Sequence, residues 1–204
     1  MTGAGAAVPV VALSPASGAA PAAPDDEAEL VERVRHGDGR AFDTLVTRYM
    51  RRAFSVAFRV LGQKEDAEDL VQDTFLVVLQ RIDSFQAGRA FAPWFFRILV
   101  NRGLNARKAR SLRTVEQIPE TASATGPSPE HEAERAELRD RLRAAMAMLP
   151  ERQRLVVELY ELEGFSGAEI AEILEISDGT VRWHLHEARK ALRGALAPFE
   201  RSRG

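Results

Sequence analysis

The chain has 204 residues, of which 45% are hydrophobic and 28% are charged, as is typical of a globular protein with one or two domains. It contains no cysteine, which excludes disulfides, thiol catalysis and cysteine-based zinc sites, and its four histidines are scattered. The net charge is only −2, but positive and negative residues are concentrated in different segments. We therefore expect a cytoplasmic protein that needs neither a metal nor another cofactor.

Two segments rich in small residues and proline interrupt the helical patterning. Residues 1–24 carry no charged side chain and lack the basic start of a secretory signal, so they are predicted to be a disordered tail. Residues 114–130 mix Pro, Ser, Thr and Gly, which predicts a flexible linker that joins independent domains. One domain is therefore expected at 25–113 and a second at 131–200.

Apolar residues recur at helical rather than alternating spacing in both domains, and strand signals are nearly absent. The predicted fold class is therefore all-α, with two small helical domains. No apolar stretch approaches the roughly 18 residues that a membrane-spanning helix needs, so no membrane insertion is expected.

The first domain contains a helix with one buried and one acidic side. Within "QKEDAEDLVQDTFLVVL" (63–79), an inward stripe is predicted for Ala67, Leu70, Val71, Thr74, Phe75, Val78 and Leu79. Around that stripe stands what we call the acidic face: Glu65, Asp66, Glu68, Asp69 and Asp73, with Leu76 and Val77 beside them. Acidic residues at a helix start are favoured by the macrodipole, which explains the first two better than Asp73. An acidic face with adjoining apolar residues also suits a basic protein partner.

The charge reverses downstream, where residues 89–113 contain seven Lys or Arg and no Asp or Glu. Aromatic residues lie among these basic residues, a combination suited to nucleic acid whose bases have left the duplex stack. Trp94 and at least one neighbouring Phe are expected in the core instead. Asn101 and Asn105 lie one helical turn apart and are weak helix formers, which favours a functional reason for their presence.

Within the second domain, a helix is predicted at about 151–162, after Leu149-Pro150, and Gly164 ends it. Ser166 and Glu169 have the spacing of a capping box, which predicts the start of a further helix at 167–174. A short polar turn follows, capped by Ser177 or Asp178, and then a helix is predicted from about 178 to 195. Two helices joined by a tight turn match helix-turn-helix geometry.

The longer of these helices has a predicted inward stripe of Val181, Leu185, Ala188 and Leu192. The outward row then comprises Arg182, Trp183, His186, Arg189, Lys190 and Arg193. A solvated cationic surface is one reading of this row. The preceding capped turn favours the other reading, which is a recognition helix for the major groove of duplex DNA.

Four stretches, in order, resemble the bacterial extracytoplasmic-function (ECF) sigma factors, the compact two-domain class that directs core RNA polymerase to promoters. They are "AFDTLVTRYMRRAFSVAFRVLG", "EDAEDLVQDTFLVVL", "FAPWFFRILVNRGLNARKAR" and "LPERQRLVVELYELEGFSGAEIAEILEISDGTVRWHLHEARKALRGAL". They span most of residues 28–196, and the ordered set is far more specific than the last stretch alone. The resemblance implies sigma region 2 in the first domain and sigma region 4 in the second.

The resemblance also implies a role for each surface. The acidic helix would bind the clamp helices of the polymerase β′ subunit, with contacts from Asp66, Asp69, Gln72, Asp73 and Phe75. The loop "DSFQAGRAF" and the following helix would capture a flipped base of the minus-10 element, with a pocket and rim formed by Phe85, Ile98, Asn101, Arg102 and Asn105. The recognition helix and its turn would read the minus-35 element through Ser177, Thr180, Arg182, Trp183, His186, Glu187 and Arg189.

The chain departs from many relatives in the recognition helix, where Trp183 and His184 replace Ser and Arg and Glu187 replaces a basic residue. Glu187 could accept a hydrogen bond from a cytosine amino group, or it could pair with Arg182 or Lys190 on its own helix. Trp183 is bulky and is expected near the groove, so the minus-35 sequence that relatives recognise is not assigned to this chain.

The partners implied by the resemblance are core RNA polymerase, through its β′ clamp helices and β flap, promoter DNA, and an anti-sigma factor that wedges between the two domains. A helix-turn-helix regulator that binds DNA without the polymerase is the main alternative, but it leaves the acidic face and the Asn pair unexplained. A scaffold or anti-sigma protein would have no use for a recognition helix. No phosphate-binding loop, HExxH motif or cysteine supports an enzyme, so no catalytic residue is assigned.

Overall fold

The computed structural model describes the backbone of residues 24–111 and 129–201, and the side chains within 26–110 and 137–196. These residues form helices and turns, with no strand in the described part, as the helical spacing predicted. The first domain contains α1 (Pro24–Arg35), α2 (Gly39–Leu61), α3 (Lys64–Arg81), a 3-10 turn (Ile82–Ser84) and α4 (Phe91–Ser111). The second contains α5 (Pro129–Ala147), α6 (Glu151–Val157), a π-helical turn (Glu158–Leu162), α7 (Gly167–Leu174) and α8 (Asp178–Arg201). The predicted tail lies almost entirely outside the described residues, as does most of the predicted linker.

Capping residues determine where α2 begins and ends. Asp38 caps α2, because its carboxylate accepts hydrogen bonds from the backbone N–H groups of Arg40 and Ala41. Gly62 ends α2 in a left-handed conformation with φ of 76°, a geometry that glycine adopts without strain. The chain can therefore turn sharply from α2 into α3.

Aromatic rings fill the core of the first domain. Phe91, Phe95 and Phe96 of α4 are fully buried, and Trp94 is nearly so, which confirms the expectation for Trp94 and its neighbours. At the opposite end of α4, Gly103 permits close approach to the other helices, since a Cβ there would lie 2.9 Å from a methyl carbon of Val60. The core thus fixes α4 against α2 and α3 from Phe91 to Gly103.

The predicted inward stripe of α3 is correct for six residues and wrong at its end, because Leu79 is substantially exposed. Val78 beside it and Ile82 just beyond the helix are both buried, so the side of α3 that faces the core continues past Leu79, which points away from it.

The helix-turn-helix is present in the second domain. Ser166 and Glu169 form the predicted capping box at the start of α7. The hydroxyl of Ser177 accepts from the N–H of Thr180 at 3.1 Å, which identifies Ser177 rather than Asp178 as the cap of α8. The helix after Pro150 is α-helical only through Val157 and then widens into the π-helical turn.

The two domains pack against each other in the structure. Phe165 lies just before α7 and stacks edge-on against Phe96 of α4, with a centroid distance of 5.1 Å. Arg52 of α2 places its guanidinium 3.8 Å from the centroid of Phe165.

Candidate polymerase and nucleic-acid interfaces

The acidic face of α3 points to solvent and is partly neutralised by α4. Asp66 pairs with Arg110, and Asp73 pairs with Arg102 at 2.9 Å. Asp69 is exposed and has no charged partner among the residues whose side chains are described. Gln72 is also exposed. Asp69 is therefore the most available carboxylate among the predicted polymerase contacts.

Phe75 requires a correction, because it is only 5% exposed and lies in the core. Its ring packs against Phe42 and Phe95, with centroid distances of 6.3 and 5.0 Å. A side chain in this position supports α3 from behind and does not contact a partner. The exposed apolar residue of this surface is Leu76, which is 57% exposed on the turn after Asp73. Its place beside the acidic face was visible in the sequence, but it was not assigned as a contact.

Phe85 also requires a correction, because it is 5% exposed and does not line an open pocket. Its ring lies 5.3 Å from Trp94 and 5.7 Å from Phe91, centroid to centroid. Arg35 of α1 donates to its backbone carbonyl. Phe85 therefore anchors the loop before α4 in the core. Ile98 is half-buried against the same core.

The polar minus-10 candidates lie along α4. Asn101 is partly buried, and its amide donates to the carboxylate of Glu175 at 3.2 Å. Asn105, one turn further, is exposed. Arg102 is directed to Asp73 on the neighbouring helix. The structure therefore brings Asn101 and Asn105 onto one side of α4, but covers Asn101 with a residue of the second domain.

The outward row of α8 lies on the solvent side as predicted. All six of its members are exposed, whereas Val181, Leu185 and Ala188 are buried and Leu192 packs partly against the core. Ser177 and Thr180 join their hydroxyls at 2.7 Å at the start of the helix. A helix that buries one stripe and exposes basic and aromatic residues on the other has the form of a major-groove reader.

Trp183 is 55% exposed near the start of α8, an uncommon position for an indole in the absence of a partner. The neighbouring His184 is turned inward and packs against it, with ring centroids 4.9 Å apart. Burial lowers the pKa of His184, and the positive charge of Arg152 lowers it further, so both favour the neutral ring over the charged one. His184 thus supports the indole of Trp183 from the protein side. The predicted inward stripe of α8 did not include His184.

The remaining charged residues of α8 have specific partners. Arg182 pairs with Asp178 at 2.8 Å, and not with Glu187 as one sequence reading allowed. Glu187 is partly exposed, and its carboxylate lies 4.0 Å from the Nε2 atom of His186. Arg189 pairs with Glu161 of the π-helical turn at 2.7 Å, and this hydrogen bond raises the pKa of its guanidinium. The π-helical turn therefore fixes Arg189 within the outward row of α8.

The cleft between the domains is lined by charged residues and contains an unusual carboxylate. Burial raises the pKa of Glu158 to about 7, although the positive charges of Arg59, Arg154 and Arg107 oppose the shift. Among the residues whose placement is described, no cluster of three or more His, Asp or Glu could hold a metal ion. Within the same residues, no helix is both long and apolar enough to cross a membrane.

Two sequence families match the chain in the order of its domains. The family described as Sigma-70 region 2 matches residues 45–113, and that described as Sigma-70, region 4 matches residues 139–192. The RNA polymerase sigma-H factor of Pseudomonas aeruginosa is 33% identical over 187 residues, which cover 87% of this chain and 97% of that protein. The ECF RNA polymerase sigma-E factor of Escherichia coli is 35% identical over 182 residues, which cover 84% of this chain and 95% of that protein.

Solved structures are similar over the same extent. The structure of CnrH in complex with the cytosolic domain of CnrY has a TM-score of 0.62 and 29% sequence identity, and it covers 85% of this chain and 99% of that one. The sequence similarity runs through both domains, which excludes a helix-turn-helix regulator that acts through its C-terminal domain alone. The chain belongs to the extracytoplasmic-function family of RNA polymerase sigma factors.

Proposed function

We infer that this chain binds core RNA polymerase in the cytoplasm and directs it to a specific set of promoters through three surfaces. The observation that carries this function is the presence, in one chain, of an exposed acidic face on α3 and an exposed basic row on α8. Phosphates would repel the first surface and attract the second, so the two are suited to different partners.

The polymerase surface is the solvent side of α3. Its contacts are Asp66, Asp69, Gln72 and Asp73, with Leu76 added for its exposure and Phe75 reassigned to the core. The β′ clamp helices are the proposed partner of this surface, and the β flap is the proposed partner of the second domain. Leu76 would supply apolar contact within a charged interface, which commonly contributes more affinity than exposed charge pairs do.

The minus-10 surface is the outer side of α4 with the loop before it. Asn101 and Asn105 would donate to and accept from the exposed edge of a flipped base, while Arg102 would contact the backbone. Phe85 would anchor the loop from the core, and Ile98 would shape the pocket. Capture of the base offsets the few kcal/mol needed to unpair it, so promoter opening proceeds by binding energy and requires no bond chemistry from the chain.

The minus-35 surface is the N-terminal half of α8. Ser177 and Thr180 lie at the helix start and suit phosphate contacts, and Arg189 would neutralise a phosphate further along. The residues proposed to reach base edges are Arg182, Trp183, His186 and Glu187. Since Glu187 is not paired with Arg182, its carboxylate is available to accept from a cytosine amino group.

An anti-sigma factor is the third proposed partner. The similar chain CnrH is seen in complex with the cytosolic domain of CnrY, which supports a comparable protein partner for this chain.

The test is transcription with sigma-free core polymerase on a pool of random upstream sequences. Discrete transcript starts that share two spaced upstream elements would establish the function and identify the promoter. Stable DNA binding by the chain with no polymerase-dependent starts would contradict it.

A further inference from the structure

We propose that the π-helical turn (Glu158–Leu162) is a further element of the minus-35 surface, in which the carboxylate of Glu161 neutralises Arg189 until a DNA phosphate replaces it. This role rests on the proposed function, because it concerns the surface assigned there to the minus-35 element. It adds a competing carboxylate and a supporting aromatic ring to that surface, and neither of them lies on α8.

Two neighbouring residues of the π-helical turn contact Arg189 of the outward row. The guanidinium of Arg189 pairs with the carboxylate of Glu161 at 2.7 Å. The same guanidinium lies 5.3 Å from the centroid of the Tyr160 ring. A hydrogen bond to Glu161, and a weaker one to the hydroxyl of Tyr160, raise the pKa of Arg189. The turn thus supplies Arg189 with both a counter-charge and an aromatic neighbour.

A second arginine of the outward row is neutralised in the same way. Arg182 pairs with Asp178 at 2.8 Å. It precedes Arg189 by seven residues, or two helical turns, so the two arginines lie on one side of α8, about 10 Å apart along its axis. In contrast, Lys190 and Arg193 are exposed and form no ion pair among the residues whose side chains are described. The row therefore combines two neutralised arginines with two unpaired cations.

The pair of Arg189 and Glu161 is weak enough for a phosphate to separate. Their side chains are 51% and 36% exposed, and ion pairs at this exposure contribute little because water screens them. The dense negative charge of duplex DNA attracts the arginine and repels the glutamate. Glu161 would therefore leave the guanidinium as DNA binds, and its repulsion would lower the affinity for any duplex.

Tyr160 would keep Arg189 in place after Glu161 has left. The attraction between a guanidinium and an aromatic ring does not depend on the carboxylate. The N–H of Glu163 donates to the carbonyl of Glu158 at 3.1 Å, which closes the π-helical turn around Tyr160. Turns of this kind are rare and occur often at functional sites. The backbone thus fixes the ring beside α8 whether or not DNA is bound.

The competing carboxylate would limit binding to DNA that lacks a promoter. A phosphate contact carries no sequence information, so an arginine free of Glu161 would strengthen binding to every duplex alike. The genome offers a large excess of such non-specific sites. Glu161 would therefore shorten the time spent on random DNA and leave the choice of sequence to the side chains that reach base edges.

The test measures binding of holoenzyme, formed with full-length chain, to a labelled duplex that carries the mapped minus-35 element and no minus-10 element. Glu161→Gln removes the negative charge and preserves the size of the side chain. Affinity should rise about two- to fivefold. The slope of log affinity against log salt should become steeper by about 1, because one more phosphate is neutralised without a competitor. A duplex without the minus-35 element should show the same gain.

Two variants of Tyr160 test the supporting ring. Tyr160→Ala should lower affinity for the duplex about two- to fivefold, because the guanidinium loses its aromatic neighbour. Tyr160→Phe keeps the ring and should stay within about twofold of the parent. Thermal unfolding of each variant establishes that the fold is retained.

Asp26→Asn is the matched control. Asp26 pairs with Arg48 at 2.6 Å in the first domain, so this variant breaks a similar ion pair and changes the net charge by the same amount as Glu161→Gln. Its duplex affinity and salt slope should match those of the parent. A labelled single-stranded oligonucleotide that carries the minus-10 element should bind equally to all of these holoenzymes, because none of the substitutions lies on α4.

Two results would overturn the role of Glu161. Weaker duplex binding by Glu161→Gln would show that the carboxylate positions Arg189 for DNA, and unchanged affinity and salt slope would show that phosphate does not compete with it. Transcription by the parent chain with core polymerase separates these failures from failure of the proposed function. Initiation at defined promoters together with either result would reject only the role of the π-helical turn.

Discussion

Arg102 of α4 donates to Asp73 of α3 at 2.9 Å, which joins the helix proposed for minus-10 DNA to the face proposed for core polymerase. Both side chains are substantially exposed, so the pair contributes less than about 1 kcal/mol to stability. Its effect is electrostatic, because the guanidinium neutralises part of the acidic face.

Arg102→Gln should therefore affect the two interfaces in opposite directions. Association with core polymerase should become about two- to threefold faster at low ionic strength, because the acidic face gains net negative charge. Affinity for the minus-10 oligonucleotide in the holoenzyme should fall. Stopped-flow measurements at low and high salt would check this, with Arg143→Gln on α5 as the control. An acceleration that persists at high salt would contradict the electrostatic explanation.

Asp69→Arg should weaken binding to core polymerase by roughly tenfold or more, since it places a positive charge at the most available carboxylate of the acidic face. The fold should be unaffected because the side chain is exposed. Competition with labelled parent chain measures the change, and Glu29→Arg on the exposed side of α1 is the matched control. Near-parental affinity would show that α3 does not bind the clamp helices.

Asn101→Ala should impair promoter opening by about tenfold while core-polymerase affinity changes less than about twofold. The amide is proposed to read the flipped base, and it makes no contact with the acidic face. Permanganate reactivity of unpaired thymines in the holoenzyme complex reports opening. Equal losses in opening and in polymerase binding would indicate misfolding, which a thermal scan would detect.

Trp183 should select thymine in the minus-35 element, because the thymine methyl is the apolar group that the major groove presents. Replacing the contacted thymine by deoxyuridine should weaken binding of the holoenzyme by about threefold, as removal of one buried methyl predicts. Trp183→Ala should lose sensitivity to that replacement, whereas Arg193→Ala should keep it. Equal sensitivity in the parent and Trp183→Ala would exclude the contact.

Glu158 should make the folded chain less stable as pH rises. Burial raises its pKa to about 7 from an ordinary value of 4.5, so between these values the folded chain binds more protons than the unfolded chain. Protonation of Glu158 stabilises the folded chain fully below about pH 4.5, and this stabilisation is lost as the pH rises through about 7. The free energy of unfolding falls by at most about 3 kcal/mol over this range. Glu158→Gln should flatten the dependence of Tm on pH between 5 and 8. An unchanged slope in that variant would assign the effect to other groups.

Local patterns in the sequence determined the helices and most of the site. The spacing of Ser166 and Glu169 predicted the start of α7, because a capping box depends on residues three apart. The stripe of Val181, Leu185 and Ala188 predicted which side of α8 is exposed, since helical periodicity places these residues on one side. The order of the four family stretches identified regions 2 and 4.

The sequence predicted burial of Trp94 and its neighbours but not that of Phe75 and Phe85. Phe75 and Phe85 occupy positions at which a relative's functional residue was expected, and the structure places both rings in the core. Whether a ring faces a partner or the interior depends on which other rings surround it in space, here Phe42, Phe91 and Trp94.

The sequence by itself determined that this is a two-domain helical sigma factor with an acidic surface on α3 and a basic surface on α8, because charge and periodicity are properties of neighbouring residues. Only the tertiary structure decided that Glu163 lies between Arg52 and Arg59 and that Glu175 covers Asn101. These contacts join residues 74 to 111 positions apart in the chain. No local pattern encodes such pairs, because they form only when two folded surfaces of complementary shape and charge meet.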